Sequence, residues 1–260
     1  MNNILLSVNK LTMQFGGLKA VDDVSFTLYP NKILAIIGPN GAGKTTIFNM
    51  ISGVYIPTNG TIKYKNIIIN GYPPHIIAKM GIKRTFQMSR LFNNLSVLDN
   101  VILGMVPQQK TTLIDAIIRR KSIKKELNIN IEKAINLLDY FNIEKDKFYS
   151  KASDLSQGDK RRLEICRALA SDPEIILLDE PSAGMDSEET KELMIDIKKI
   201  ISLKEDIGII LIEHDMSVVK NIADYVIVLS YGKLIAEGTF NEVSSSKIVQ
   251  EAYLGKRKYS

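Results

Sequence analysis

Gly38-Pro39-Asn40-Gly41-Ala42-Gly43-Lys44-Thr45 follows the pattern G-x-x-x-x-G-K-[ST], with a solid apolar run before it and a helical pattern starting inside it. Glycines at that spacing let the backbone turn so that successive N–H groups point inward at phosphate oxygens. The start of a helix adds partial positive charge, Lys44 adds a full one, and the Thr45 hydroxyl can reach Mg²⁺. A second constellation, Ile175-Ile176-Leu177-Leu178-Asp179-Glu180, is four apolar residues ending in two carboxylates. A buried strand delivers such acids where open α/β sheets take their ligands. Asp179 reads as the acid on the metal side, acting through the water shell. Glu180 reads as the group that orients or deprotonates an attacking water. The chemistry this pair of motifs supports is transfer of a phosphoryl group to water.

These residues need a sheet and helices to hold them, and the hydrophobic pattern supplies both. Ile33-Ile37 has the continuous apolar character of a strand buried on both faces, and helical periodicity runs from Lys44 to Ile51. Before them, residues 5–8, 11–15 and 21–28 read as strand pieces. Residues 54–86 read as rich in strands and turns, with Asn59-Gly60 and Asn70-Gly71 as punctuation and His75 starting a surface helix after Pro73-Pro74. From Met88 to about Ser153 the pattern turns helical, over 97–105, 113–127 and 131–141. Beyond it, helices over 158–170, 187–203 and 216–222 alternate with strands over 174–179, 208–213 and 225–229, the order of βαβ units on a parallel sheet. The expected fold class is therefore α/β, with a helical subdomain inserted.

Composition excludes several other classes. The 260 residues are 45% hydrophobic and 24% charged, with 16 Gly and 8 Pro, which is ordinary for a chain that buries a core. One cysteine forbids an intramolecular disulfide framework, and Cys166 is expected as a small core residue; two histidines argue against a His-rich metal centre. No apolar run approaches the ~20 residues of a membrane span, and the first residues lack a signal-peptide layout, so any membrane role is expected to be peripheral. The net charge of +5 permits an anionic neighbour without naming one. The basic stretch from Arg119 to Lys125 reads either as a solvated helix end or as a face toward anionic lipid.

Leu155-Ser156-Gln157-Gly158-Asp159 opens a helix with Ser156 as its N-cap. With the two motifs above, it makes the chain resemble the ATP-binding cassette ATPases of membrane transporters over nearly its whole length. The resemblance implies a nucleotide-binding P-loop fold: a RecA-like parallel-sheet core, an antiparallel β subdomain and an inserted α-helical subdomain. The implied boundaries are 1–87 and 156–238 for the catalytic core with its β subdomain, 88–155 for the helical subdomain and 239–260 for a C-terminal extension. ATP is the implied nucleotide, contacted by Phe15 through stacking on adenine and by Gly38, Pro39, Asn40, Gly41, Ala42, Gly43, Lys44, Thr45 and Thr46. Mg²⁺ falls to Thr45, Gln87 and Asp179. Catalysis falls to Glu180, His214, Lys44 and Gln87, with Gln87 in Thr85-Phe86-Gln87 and His214 in Leu211-Ile212-Glu213-His214-Asp215. Ser156 and Gly158 serve the ATP of a partner subunit, and Asp186 of Ser182-Ala183-Gly184-Met185-Asp186 lies at the dimer interface. The family signature is Leu-Ser-Gly-Gly-Gln, so Gln157 and Asp159 depart from it. Ser156 and Gly158 carry the groups that meet phosphate, so function is expected to survive, and if the second signature position needs a glycine-like conformation, Gln157→Gly should raise ATP turnover or leave it unchanged.

Arg84-Thr85-Phe86-Gln87, Arg90-Leu91-Phe92, the long helical insertion, Arg161-Arg162-Leu163-Glu164-Ile165 and Ala252-Tyr253-Leu254-Gly255 occur together here. The combination is similar to the branched-chain amino acid uptake ATPases with the longer insertion. Relatives serving urea uptake or lipopolysaccharide export share much of the core. The implied partners are two transmembrane permease subunits, a second cassette (identical or related) and, indirectly, an extracytoplasmic solute-binding protein, with the chain on the cytoplasmic side of the membrane. A groove near Gln87–Met105, with Leu91 or Phe92 exposed, is expected to receive the permeases. A soluble cassette acting on ribosomes or DNA is disfavoured by the single phosphate loop, and a non-hydrolysing cassette by Lys44, Glu180 and His214. No nucleic-acid partner is expected.

Overall fold

The computed structural model describes residues 4–85, 91–105 and 120–254. By contacts the chain divides into two compact units, residues 1–87 with 174–260 and residues 88–173.

The larger unit carries two sheets. One is antiparallel, formed by β1 (Leu6–Phe15), β2 (Leu18–Leu28), β4 (Asn59–Tyr64) and β5 (Ile67–Ile68) in the order β2-β1-β4-β5. The other has six strands: β3 (Ile33–Ile37), β6 (Ile82–Arg84), β7 (Ile175–Asp179), β8 (Gly208–Ile212), β9 (Tyr225–Ser230) and β10 (Lys233–Gly238), ordered β10-β9-β3-β8-β7-β6. Five of these run parallel, and β10 turns back antiparallel on β9. Each of β3, β7 and β8 is buried at every position, as their unbroken apolar runs require. Alternation splits β3 between two cores. Leu34 and Ile36 pack with the antiparallel sheet and with Ile47, Phe48 and Ile51 of α1 (Lys44–Ile51). Ala35 and Ile37 pack with Val226, Val228 and Val219, the last on α7 (Met216–Ile222). Val243 of α8 (Phe240–Ser245) and Val249 of α9 (Lys247–Leu254) join this second core, so the segment expected as an extension closes one face of the sheet.

The pieces expected at 5–8 and 11–15 form one strand. Asn59-Gly60 opens β4 and is not a turn between strands. Gly60 has φ +86 and lies against the Lys10 carbonyl, where a Cβ would stand 2.3 Å from oxygen. His75 does begin a helix, α2 (Pro74–Met80), with Pro at its first position. The remaining helix of this unit, α6 (Ser187–Leu203), starts in a capping box made by Asp186 and Glu189.

The smaller unit holds α3 (Val97–Met105), α4 (Arg120–Tyr140) and α5 (Gln157–Leu169). Residues 120–140 are one continuous helix where the sequence suggests a break before Ile131. The unit extends to Pro173 and includes α5, whereas the sequence boundary fell at residue 155. The reason is packing: α3 meets α5 so closely at Gly104 that a Cβ there would come within 2.2 Å of the Arg167 carbonyl oxygen. Asn100, fully buried, donates to the carbonyls of Phe92 and Ser96 and accepts from the Phe92 N–H. Leu91 is buried and so is not an exposed contact, whereas Phe92 is exposed beneath the Arg167 guanidinium. Cys166 is buried, as expected.

Candidate active site

The loop from Gly38 to Gly43 leaves the C-terminal end of β3 and feeds α1. Two of its glycines are required by geometry. Gly38 has φ +150 and a Cβ there would meet the Leu229 carbonyl oxygen at 2.2 Å; Gly43 has φ +102 and would meet the Ala20 oxygen at 2.5 Å. Ala42 is buried and anchors the loop by accepting from the Gly232 N–H at 3.1 Å, while Asn40 and Gly41 are exposed and Pro39 is half-buried. Lys44 is buried, and its Nζ donates to the carbonyls of Gly38 at 2.7 Å and Pro39 at 3.1 Å, arching over the loop. Burial pushes the Lys44 ammonium below its ordinary value, and the carboxylates of Glu180 and Asp179 pull it back in part. A phosphate group arriving there would restore it further. Thr45 is exposed and Thr46 half-buried in the first turn of α1.

Asp179 and Glu180 stand at the end of β7, as expected, in very different settings. Asp179 is buried, and its Oδ2 accepts from the Arg84 guanidinium at 2.7 Å. Glu180 is half-buried and has φ +47, a left-handed conformation that costs a non-glycine residue roughly 1–2 kcal/mol. Its N–H is held by the Ile212 carbonyl at 2.9 Å. Strain of this kind concentrates at functional positions. His214, just past β8, places Nε2 2.6 Å from Glu180 Oε1. With Glu180 ionised, that distance requires the ring proton on Nε2.

The neighbouring Glu213 shows a role its sequence position did not disclose. It is buried, accepting at Oε1 from the Ser182 N–H and at Oε2 from the His214 N–H, both at 2.9 Å. It therefore ties the loop after Glu180 to the loop carrying His214. Asp186 caps α6 by accepting from the N–H groups of Glu188 and Glu189 at 2.8 and 2.9 Å. Phe15 is exposed and meets Tyr55 edge to face with ring centres 5.3 Å apart. In the helical unit Ser156 caps α5 as expected, accepting from the Asp159 N–H at 3.1 Å, and Gly158 lies in the first turn. Gln157 is an ordinary first-turn helical residue, absent from the positive-φ positions, so no glycine-like conformation is demanded there. Asp159 is buried and receives Lys147 at 3.1 Å. Gln87 lies outside the described residues.

Of the two groups expected with this site, magnesium is the more demanding. Among the described residues no cluster of three or more His, Cys, Asp or Glu side chains could hold a metal ion. Thr45 and Asp179 offer one hydroxyl and one carboxylate. Such a sparse set suits Mg²⁺, which keeps several waters and borrows phosphate oxygens. Asp179 Oδ1 is buried with no hydrogen-bond partner, an atom that a metal-bound water would satisfy. The residues fit the ion.

Residues 21–183 match the family described as ABC transporter. The chain belongs to the ATP-binding cassettes of ABC transporters. It is thus an ATP-binding and ATP-hydrolysing cassette, with the fold the sequence led us to expect. Residues 233–259 match a second family, branched-chain amino acid ATP-binding cassette transporter. The cassette is 42% identical to the high-affinity branched-chain amino acid transport ATP-binding protein LivG of Escherichia coli, over 98% of this chain and 99% of that one. It is 37% identical to BraF, of the same description, from Pseudomonas aeruginosa, again over 98% and 99%. Two solved ABC-transporter cassettes superpose closely, each at 30% identity and over 97% of this chain. A nucleotide-free one gives a TM-score of 0.83 over all of its length, and one in its ADP conformation 0.84 over 99%. No helix among the described residues is long and apolar enough to cross a membrane.

Proposed function

We propose that this cassette powers the import of branched-chain amino acids through two permease subunits, on the cytoplasmic face of the membrane. The observation that supports ATP hydrolysis at this place is the convergence, at the C-terminal ends of β3, β7 and β8, of Lys44, Asp179, Glu180 and His214, with Glu180 and His214 in hydrogen-bond contact. The solute class rests on the C-terminal family match and on the near-full-length likeness to LivG and BraF.

In this reading the loop Gly38–Thr46 and Lys44 grip the triphosphate, and Phe15 lies against adenine. Thr45, Asp179 and Gln87 hold Mg²⁺, which when bound neutralises phosphate charge. Glu180, kept in place by His214 and by the strained backbone of its turn, accepts a proton from water. The water oxygen attacks the γ-phosphorus in line, the bond to the bridging oxygen breaks, and ADP and phosphate leave. A second cassette, identical or related, brings its own Ser156- and Gly158-type signature to this nucleotide, and Asp186 sits where the two meet. The solved cassettes with TM-scores of 0.72 that are described as dimeric lend support. Within the smaller compact unit, residues 88–155 are the part that faces the permeases.

Reconstitution into vesicles with its permeases, partner cassette and solute-binding protein tests the proposal. ATP-dependent uptake of leucine, isoleucine and valine is expected. Uptake of urea with exclusion of these amino acids overturns the solute assignment and leaves the ATPase assignment standing.

A further inference from the structure

Arg84, three residues before Gln87 at the end of β6, joins three parts of the larger unit. One arm of its guanidinium, NH2, donates to Asp179 Oδ2 at 2.7 Å, and the other, NH1, donates to Asn49 Oδ1 on α1 at 2.6 Å. Its planar head lies 5.6 Å from the ring centre of Phe48, which is fully buried. Both members of the ion pair are sheltered, Arg84 at 10% and Asp179 at 3% side-chain exposure. A planar fork holds two acceptors in fixed directions at the spacing of its two arms, a geometry that a compact ammonium with rotatable donors does not impose. With Oδ2 committed to Arg84, the buried and unpartnered Oδ1 is the oxygen left over.

We propose that Arg84 is a positioning residue for the metal side of the site: it fixes the Asp179 carboxylate in register with the phosphate-loop helix, leaving Oδ1 for a magnesium-bound water. The inference rests on the proposed role of Asp179. A guanidinium near a cation also repels it, so the sign of the effect discriminates between two possibilities. If positioning dominates, losing Arg84 weakens magnesium-dependent nucleotide binding. If repulsion dominates, losing it strengthens that binding.

The experiment measures binding of a fluorescent ATP analogue to the full chain, first in EDTA and then across a magnesium titration, with thermal melting of every variant. Arg84→Gln is expected to leave binding in EDTA within about twofold of the parent and to raise the magnesium concentration at half-effect by tenfold or more. Arg84→Lys, which keeps the charge but not the planar fork, should fall between. In the Asp179→Asn background, Arg84→Gln should add little. Three results overturn the inference: an unchanged magnesium midpoint, a lower midpoint, or equal loss in EDTA and in magnesium, which would mark Arg84 as a purely structural residue. Asp179→Asn alone separates the two readings. If it leaves the magnesium titration untouched, the role of Asp179 falls and the Arg84 inference with it. If it abolishes the magnesium effect while Arg84→Gln matches the parent, only the Arg84 inference falls.

Discussion

Glu180 and Asp179 are adjacent acids with unlike surroundings, and the difference yields separable predictions. Glu180→Gln keeps the size and the hydrogen bond to His214 while removing the proton acceptor. Turnover of ATP should fall by about 10²–10⁴-fold, the usual cost of losing a general base. Affinity for ATP should hold, because the loop and Lys44 are untouched; single-turnover kinetics beside equilibrium binding measures both, and turnover near the parent rate would move the base elsewhere. Lys44 offers a pH signature. Its ammonium sits below its ordinary value in the free chain because it is buried, and a bound triphosphate raises it. Between those two values binding must take up a proton, so affinity declines as pH rises through the free-chain value. Calorimetry at alkaline pH in buffers of different ionisation enthalpy should register the uptake in the parent and not in Lys44→Ala. The roles of Lys44, Asp179 and Glu180 could be read from their neighbours in the chain. Those of Arg84 and Tyr55 could not. Arg84 meets Asp179 across 95 positions, and Tyr55 meets Phe15 from the loop before β4, so no local spacing records either contact.

Helices and strands differ in how openly the chain declares them. The bounds of β3, α1, α3, α6 and α7 agree with their apolar patterns because each pattern is imposed by burial on one stripe or on both faces. Strand β6 has three residues and one apolar anchor, Ile82, too few to form a pattern. Strand β10 is an edge strand, mostly half-exposed, and its mixed sequence reflects that position. At the signature, Gln157 departs from the consensus and still fits its helix, so no left-handed conformation is required there. Gly104 makes the opposite case. Its helix looks regular, yet the approach of α5 leaves no room for a methyl group. Gly104→Ala should improve intrinsic helix propensity and still lose about 1–3 kcal/mol through overpacking. A urea midpoint equal to or above the parent's would show that α3 and α5 can separate at no cost.

For the molecule as a whole, acid stability depends in part on the start of β7. Burial raises the Glu174 carboxyl, but hydrogen bonds from Lys65 at 2.6 Å and from Tyr64 at 2.8 Å outweigh it and hold the net value below 4.5. A carboxyl depressed on folding stabilises above its unfolded value and loses that contribution as pH falls through the folded one. The parent should therefore lose stability on acidification below about pH 4.5, while Glu174→Gln should be weaker at neutral pH and flatter on the acid limb. Urea midpoints from pH 7 to pH 3 measure this, and parallel curves would refute it. The strand order has a further consequence, for synthesis. The strand that carries the phosphate loop lies between β8 and β9, which leave the ribosome about 170 residues later, roughly 10–30 s at ordinary elongation rates. Leu34 and Ile36 find cover early, because β1, β2, α1 and β4 are all made before Lys65. Ala35 and Ile37 wait for Val219, Val226 and Val228. A nascent chain thus carries its nucleotide loop on a strand shielded on one face only until β9 arrives, and the Gly232 N–H that holds the Ala42 carbonyl of that loop is made later still.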